Sequence, residues 1–264
     1  MDEEREKIVN YALEYPDIRH RKLAYRMQDE NIVYVSPSSV YRVLKDNDLI
    51  PSQDYHQKKD ADGEIEVEEP NQMWHMDITY IPVGNQHAYL ISVLDGYSRY
   101  IIHSKLSFTM RTEDVKEVLS RALFKSNLYE VPDNEKPVLI SDNGTQFVSN
   151  NFRTFLKNLD IDHIRTAVDH PETNGKIEVF HKTLKHENVY IKDEYSSFYE
   201  AKEDIKKFID KYNEQRLHQG IEFVTPYQKY TGKDKEIIKK RKENHQAAIK
   251  RRKRLNKSRA SKAA

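Results

Sequence analysis

Residues 74–83 read WHMDITYIPV, and the fold class turns on how this stretch is taken. Trp74, Met76, Ile78 and Tyr80 fall on one face of an extended chain, and His75, Asp77, Thr79 and Ile81 on the other. A period of two with β-branched and aromatic residues predicts a strand. Asp is a poor strand former, so Asp77 in mid-strand needs a reason. Its neighbours Ile78, Tyr80 and Ile81 imply a sheet that is largely covered. An unpaired carboxylate there costs several kcal/mol and calls for a metal or a cation.

Working outward, AYLISVLD (88–95) and RYIIHSKL (99–106) read as two more strands joined by a Gly-Tyr-Ser turn. Val115, Val118, Leu119 and Leu123 then recur at helical spacing, followed by a short buried strand, PVLIS (137–141). A helix through Phe152 and Leu156 and a strand around residues 161–164 come next. Two helices close the series, the second carrying Phe198, Ala201, Ile205, Phe208 and Tyr212. Meandering strands followed by alternating strands and helices imply an α/β fold with a mixed sheet flanked by helices.

Upstream, residues 1–50 read as three short helices, the third opened by Ser36 as N-cap and Pro37 in the first turn. That pattern fits a small all-α helix-turn-helix domain, with Ser38, Ser39, Tyr41, Arg42 and Lys45 facing DNA. Helical packing alone is the competing reading, because 1–50 holds 8 basic and 10 acidic residues. Residues 51–70 lack apolar periodicity and read as an acidic linker. The core then spans 71–230 and a basic tail 231–264, in which HQAAIKRRKRLNKSRASKAA (245–264) reads as a frayed helix or a disordered arm. The tail holds 14 basic and 3 acidic residues, whereas 1–230 holds 30 and 40. A basic segment on an acidic body points to a polyanionic partner. No run approaches the roughly 18 apolar residues of a membrane span. The absence of cysteine excludes disulfides and cysteine-ligated zinc. A cytosolic or nucleoid location is expected.

Two further acids join Asp77. Asp142 sits just past PVLIS, ahead of Asn143-Gly144, where an ordinary turn is the plainer explanation. Glu178 lies in HPETNGKIEVFHKTLKHE (170–187), beside the apolar stripe of Ile177, Phe180 and Leu184. Three carboxylates from a strand, a strand end and a helix are able to hold two hard divalent cations about 4 Å apart, the arrangement used for phosphodiester cleavage or transfer. His181, Lys182 and Lys185 follow Glu178 on the helix and are candidate phosphate contacts. Asn213, Arg216 and His218 either contact DNA or close the domain.

These motifs resemble the DDE transposases and retroviral integrases. Trp74-x-x-Asp77 with ITYI, LISDNGTQF around Asp142 and the Glu178 segment match that superfamily's pattern, with 35 residues between Asp142 and Glu178. Lys185 matches a basic position of the insertion-sequence branch, as does YNEQRLHQGIEFVTPYQKY (212–230). The front end, ending SPSSVYRVLKDNDLI, is similar to the helix-turn-helix segment of bacterial two-frame insertion-sequence proteins. Val179 departs from the arginine common there, and Pro16-Asp17-Ile18-Arg19 stands in place of a common glycine.

The resemblance implies an RNase H-like, five-stranded core on which Asp77, Asp142 and Glu178 bind two Mg²⁺ or Mn²⁺ ions. It implies a transposase that cleaves at element ends and transfers the freed 3′-hydroxyl into target DNA. Implied partners are double-stranded DNA, further copies of the chain and an upstream-frame helix-turn-helix polypeptide. A nuclease of the same fold that does not join ends, and a non-catalytic transposase-derived DNA-binding protein, are the alternatives.

Overall fold

The computed structural model describes residues 2–50, 67–166, 174–192 and 194–263. Most of the expected linker, 51–66, and residues 167–173 ahead of Glu178 lie outside that description. The chain divides into two compact units, Met1–Lys58 with Leu217–Val224 and Gly232–Ala264, and Lys59–Arg216 with Thr225–Thr231.

In the first unit, α1 (Asp2–Glu14), α2 (His20–Asp29) and α3 (Pro37–Asp46) enclose Ile8, Leu23, Met27, Val40 and Leu44. Ser36 caps α3, its hydroxyl accepting from the Ser39 N–H at 3.2 Å, with Pro37 in the first turn where its missing N–H costs nothing.

The second unit is built on β1 (Met73–Val83), β2 (Gln86–Asp95), β3 (Ile101–Ser107), β4 (Val138–Ser141) and β5 (His163–Arg165). The strand order is β3-β2-β1-β4-β5, antiparallel from β1 to β3 and parallel from β1 through β5. This is the expected mixed five-stranded sheet. The helices are α4 (Thr112–Lys125), α5 (Thr145–Val148), α6 (Asn150–Asn158), α7 (Gly175–Glu187), α8 (Phe198–Glu214) and α9 (Pro226–Tyr230).

The alternation of β1 puts an apolar layer on each face. Trp74, Met76, Ile91 and Val93 pack with Val115 and Val118 of α4, Phe147 of α5 and Phe152 of α6. On the opposite face Ile81, Leu90 and Leu94 meet Ile177, Phe180 and Leu184 of α7 and Ile205 and Tyr212 of α8. Each such side chain contributes about 1.5–3 kcal/mol of burial free energy, so α7 is held firmly against the Asp77 face. Asn213 ties α8 to β3: its carbonyl accepts from the Ile101 N–H at 2.9 Å and its amide donates to the Ile101 carbonyl at 3.0 Å. Of the two roles open to Asn213, the structure assigns it domain closure.

As far as Arg252 the basic segment is docked rather than a free arm. It forms α10 (Asp234–Ala263), which belongs to the first unit. Arg241 is buried and donates to both Asp29 carboxylate oxygens at 2.7 and 2.6 Å and to the Phe223 carbonyl at 3.0 Å. Its guanidinium lies 5.0 Å from the centre of the Tyr25 ring, which stacks on Phe223. Three turns on, Arg252 pairs with Glu4 at 3.1 Å and donates to the Tyr34 carbonyl at 2.7 Å. A planar donor fork satisfied on several sides holds one geometry, which a solvated arm has no means to do.

Candidate active site

Asp77 stands opposite Ser92 in the β1–β2 register, on the sheet face covered by α7. One carboxylate oxygen, Oδ1, accepts the Ile78 N–H at 2.8 Å. The other, Oδ2, lies 3.1 Å from His181 Nδ1, and His181 Nε2 lies 3.5 Å from the Ser92 hydroxyl. An ionised carboxylate only accepts hydrogen bonds, so His181 Nδ1 is the donor to Asp77. His181 is 5% exposed and Ser92 fully buried. This corrects the placement of His181 among DNA contacts: its ring is turned into the protein and engaged by Asp77.

Asp142 comes from the residue that follows the neighbouring strand, β4. β1 and β4 pair in parallel, with His75 opposite Ile140, and Asp142 follows directly on the last residue of β4, where it lies in the field of the Asp77 charge. Burial pushes the Asp142 carboxyl above its ordinary range, and the negative charge of Asp77 pushes it the same way. The Gly144 N–H, donating to Asp142 Oδ1 at 2.9 Å, opposes them. A Cβ at Gly144 would stand 3.1 Å from that oxygen and 2.6 Å from the Gln146 amide, so glycine lets the loop close under the carboxylate.

Glu178 is half-buried on α7, one turn before His181 and therefore on the same side of the helix. The structure brings Asp77 and Asp142 together but does not close Glu178 onto them. Among the described residues, no group of three Asp, Glu or His side chains is gathered tightly enough to hold a metal ion. Lys185 is half-buried, and desolvation lowers its ammonium while the Asp77 charge raises it, so this lysine lies in the field of Asp77. Lys182 is exposed. His75, on the Asp77 face, is driven down to about 3 by burial and by the charges of Lys176 and Arg99, with Asn174 pulling slightly upward.

The remaining predicted contacts divide. Arg216 is engaged in a two-pronged pair with Glu187, one arm at 2.7 Å, which leaves it less to offer a phosphate than the sequence suggests. Ser38, Tyr41, Arg42 and Lys45 are exposed on α3, whereas Ser39 is committed to the cap, its hydroxyl 2.9 Å from that of Ser36. Ser92 carries no signal in the sequence, because only the strand register reveals that it stands across from Asp77.

The description Integrase core domain matches twice, over residues 67–171 and 159–226, which together take in Asp77, Asp142 and the whole of α7. The chain belongs to the integrase core family. It aligns with the transposase for insertion sequence element IS904 of Lactococcus lactis at 30% identity, covering 61% of this chain and 62% of that protein. A putative transposase, InsK of insertion sequence element IS150 of Escherichia coli, is 31% identical over 60% of this chain and 53% of its own length. The chain thus spans between about half and two thirds of these relatives. A chain in the cryo-electron microscopy structure of the simian T-cell lymphotropic virus intasome with PP2A regulatory subunit B56 gamma superposes with a TM-score of 0.52 at 17% identity, covering 74% of this chain and 67% of that one. That likeness speaks to the fold, which is RNase H-like: a mixed five-stranded sheet with helices on both faces.

Proposed function

We propose that this chain is the catalytic polypeptide of a DNA transposase, nicking DNA at element ends and joining the freed 3′-hydroxyl to a target phosphodiester. The observation that carries this reading is that Asp142, one residue past β4, lies in the field of Asp77 on the neighbouring strand β1, with α7 fastened to Asp77 through His181. Two carboxylates in one another's field repel, and hard oxygen donors of this kind suit Mg²⁺ or Mn²⁺. Asp77, Asp142 and Glu178 are the residues that would hold two such ions. Bound there, divalent ions supply an activated oxygen nucleophile and stabilise the leaving oxygen.

The chain's own side chains do the rest. His181 fixes the rotamer of Asp77, and the Gly144 N–H fixes that of Asp142. Lys185 balances the carboxylate charge and, with exposed Lys182, grips the phosphates beside the reacting one. Ser38, Tyr41, Arg42 and Lys45 of α3 contact DNA as a helix-turn-helix reader. Partners are double-stranded DNA at element ends and target, further copies of this chain, and an upstream-frame helix-turn-helix polypeptide. The location is the bacterial cytoplasm at the nucleoid; among the described residues no helix is long and apolar enough to cross a membrane.

The test is strand transfer with Asp77→Asn, Asp142→Asn and Glu178→Gln. Each variant loses joining and nicking in Mg²⁺ while keeping duplex affinity. Near-normal activity in any one of them removes that residue from the site. A labelled 3′-hydroxyl end offered with a circular target separates joining from cleavage alone.

A further inference from the structure

The first unit presents an electrostatic problem. Residues 1–50 carry 8 basic and 10 acidic residues, a net charge of −2, which repels a duplex that α3 is shaped to read. The problem disappears when α10 is counted with the unit it packs into, because residues 231–264 bring 14 basic and 3 acidic residues.

The two sides of α10 do different things. Asp234, Ile237, Ile238, Arg241, Asn244, His245, Ala248 and Arg252 form its covered stripe, at intervals of three and four, and Arg241 and Arg252 neutralise Asp29 and Glu4. At about 100° per residue the opposite side carries Lys239, Lys250, Lys253, Arg254 and Lys257, all exposed. No acidic residue follows Glu243, so nothing further along the helix offsets the last four of these charges. Arg252 donates to the Tyr34 carbonyl, two residues before the Ser36 cap of α3, which pins this basic stretch beside the turn leading into α3.

We propose that the outward side of α10, centred on Lys250, Lys253, Arg254 and Lys257, is a duplex-DNA phosphate grip working as one unit with α3. It rests on the reading of this chain as a DNA-handling protein, and it assigns the sequence-independent part of the affinity to the far end of the polypeptide. Phosphate contacts position a reader on the duplex without specifying sequence, which is the share of binding the 1–50 segment lacks.

The experiment is duplex binding by the full chain, read by fluorescence anisotropy on a random-sequence oligonucleotide across a salt series. In the Lys250→Gln, Lys253→Gln, Arg254→Gln, Lys257→Gln variant the affinity falls about tenfold or more. The slope of log K against log salt becomes shallower by about 3–4, at about 0.9 for each DNA phosphate that is no longer neutralised. A companion with Lys250→Arg, Lys253→Arg and Lys257→Arg keeps both. Wild-type binding with an unchanged slope in the glutamine variant overturns the grip and leaves the proposed transposase intact. Absence of duplex binding by the wild type overturns both. Loss of binding to phosphatidylserine vesicles with duplex affinity unchanged would assign this side of the helix to lipid, and the proposal fails.

Discussion

His181 Nδ1 sits 3.1 Å from Asp77 Oδ2, joining a helix to the strand it covers across 104 positions of sequence. The bond holds one carboxylate oxygen on the α7 side while the Ile78 N–H holds the other. Removing a partner of this kind from a liganding group typically costs about 10–100-fold in metal affinity or activity. His181→Ala therefore lowers strand transfer and weakens Mg²⁺ binding by that order, with duplex affinity unchanged. His181→Asn, which keeps a donor near Asp77, recovers part of the loss. A fall in duplex affinity parallel to the fall in activity would return His181 to the DNA surface.

Asp142 is held in a place that disfavours its charge. Burial and the charge of Asp77 raise its carboxyl above the ordinary 3.8. A raised folded-state value contributes stability that is complete below the unfolded pKa and lost as pH rises through the folded one. At pH 7 the ionised group is thus a cost to the metal-free fold. Asp142→Asn raises the thermal midpoint without metal, by about 2–4 °C for each kcal/mol relieved. Mg²⁺ then stabilises the wild type and not the variant. A midpoint that drops in the metal-free variant contradicts the assignment.

Much of this was legible because the two periodicities are clean. WHMDITYIPV alternates, and β1 puts Trp74 and Met76 in one layer and Ile81 in the other. The strand, strand end and helix carrying Asp77, Asp142 and Glu178 were likewise readable, and so was the Ser36 cap. The inward turn of His181 has a subtler signature: positions 177, 180, 181 and 184 form one stripe at helical spacing, and all four are buried. The pairing of Asp77 with Ser92 has none, since register depends on contacts remote in sequence. The docking of α10 was hidden for another reason. Its covered stripe is made largely of polar side chains, so composition reads it as a solvated tail although Arg241 is buried.

Three imidazoles in the second unit predict acid sensitivity. Burial, the leading cause in each, lowers His75 to about 3 and His103 and His163 to about 4, from an ordinary 6.5. Depressed folded-state values mean that the unfolded chain takes up protons first as pH falls. The stability is present above about pH 6.5 and is lost between there and about pH 4. For the deeply buried His75 the loss approaches about 1.4 kcal/mol per pH unit in that window, and it is smaller for the two partly exposed rings. Denaturant melts of wild type and His75→Gln at pH 7 and pH 5 measure it: the gap between the two pH values narrows in the variant. An equal gap in both would show that His75 takes up its proton without unfolding.

Arg241 and Asp29 join α10 to the front helices across 212 residues. The arginine side chain is 7% exposed and its partner 33%. Breaking a buried pair by removing one member costs about 3–5 kcal/mol when both charges are sealed from water, so partial exposure of Asp29 reduces the expected cost to about 2–3 kcal/mol. Arg241→Met keeps the aliphatic stem over Tyr25 and removes the fork, leaving the Asp29 carboxylate and the Phe223 carbonyl without it. Hydrogen exchange then speeds in α2, α3 and α10 while the five-stranded sheet keeps its protection. Arg241→Lys, which retains the charge without the planar fork, recovers only a minor part of the loss, because a point charge cannot serve Asp29 and the Phe223 carbonyl together. The double variant Arg241→Met, Asp29→Asn is more stable than Arg241→Met alone, since it removes the carboxylate stranded by the first change. Unaltered exchange in α2 and α10 of Arg241→Met would mean that the apolar contacts of the unit, not this pair, hold the helix in place.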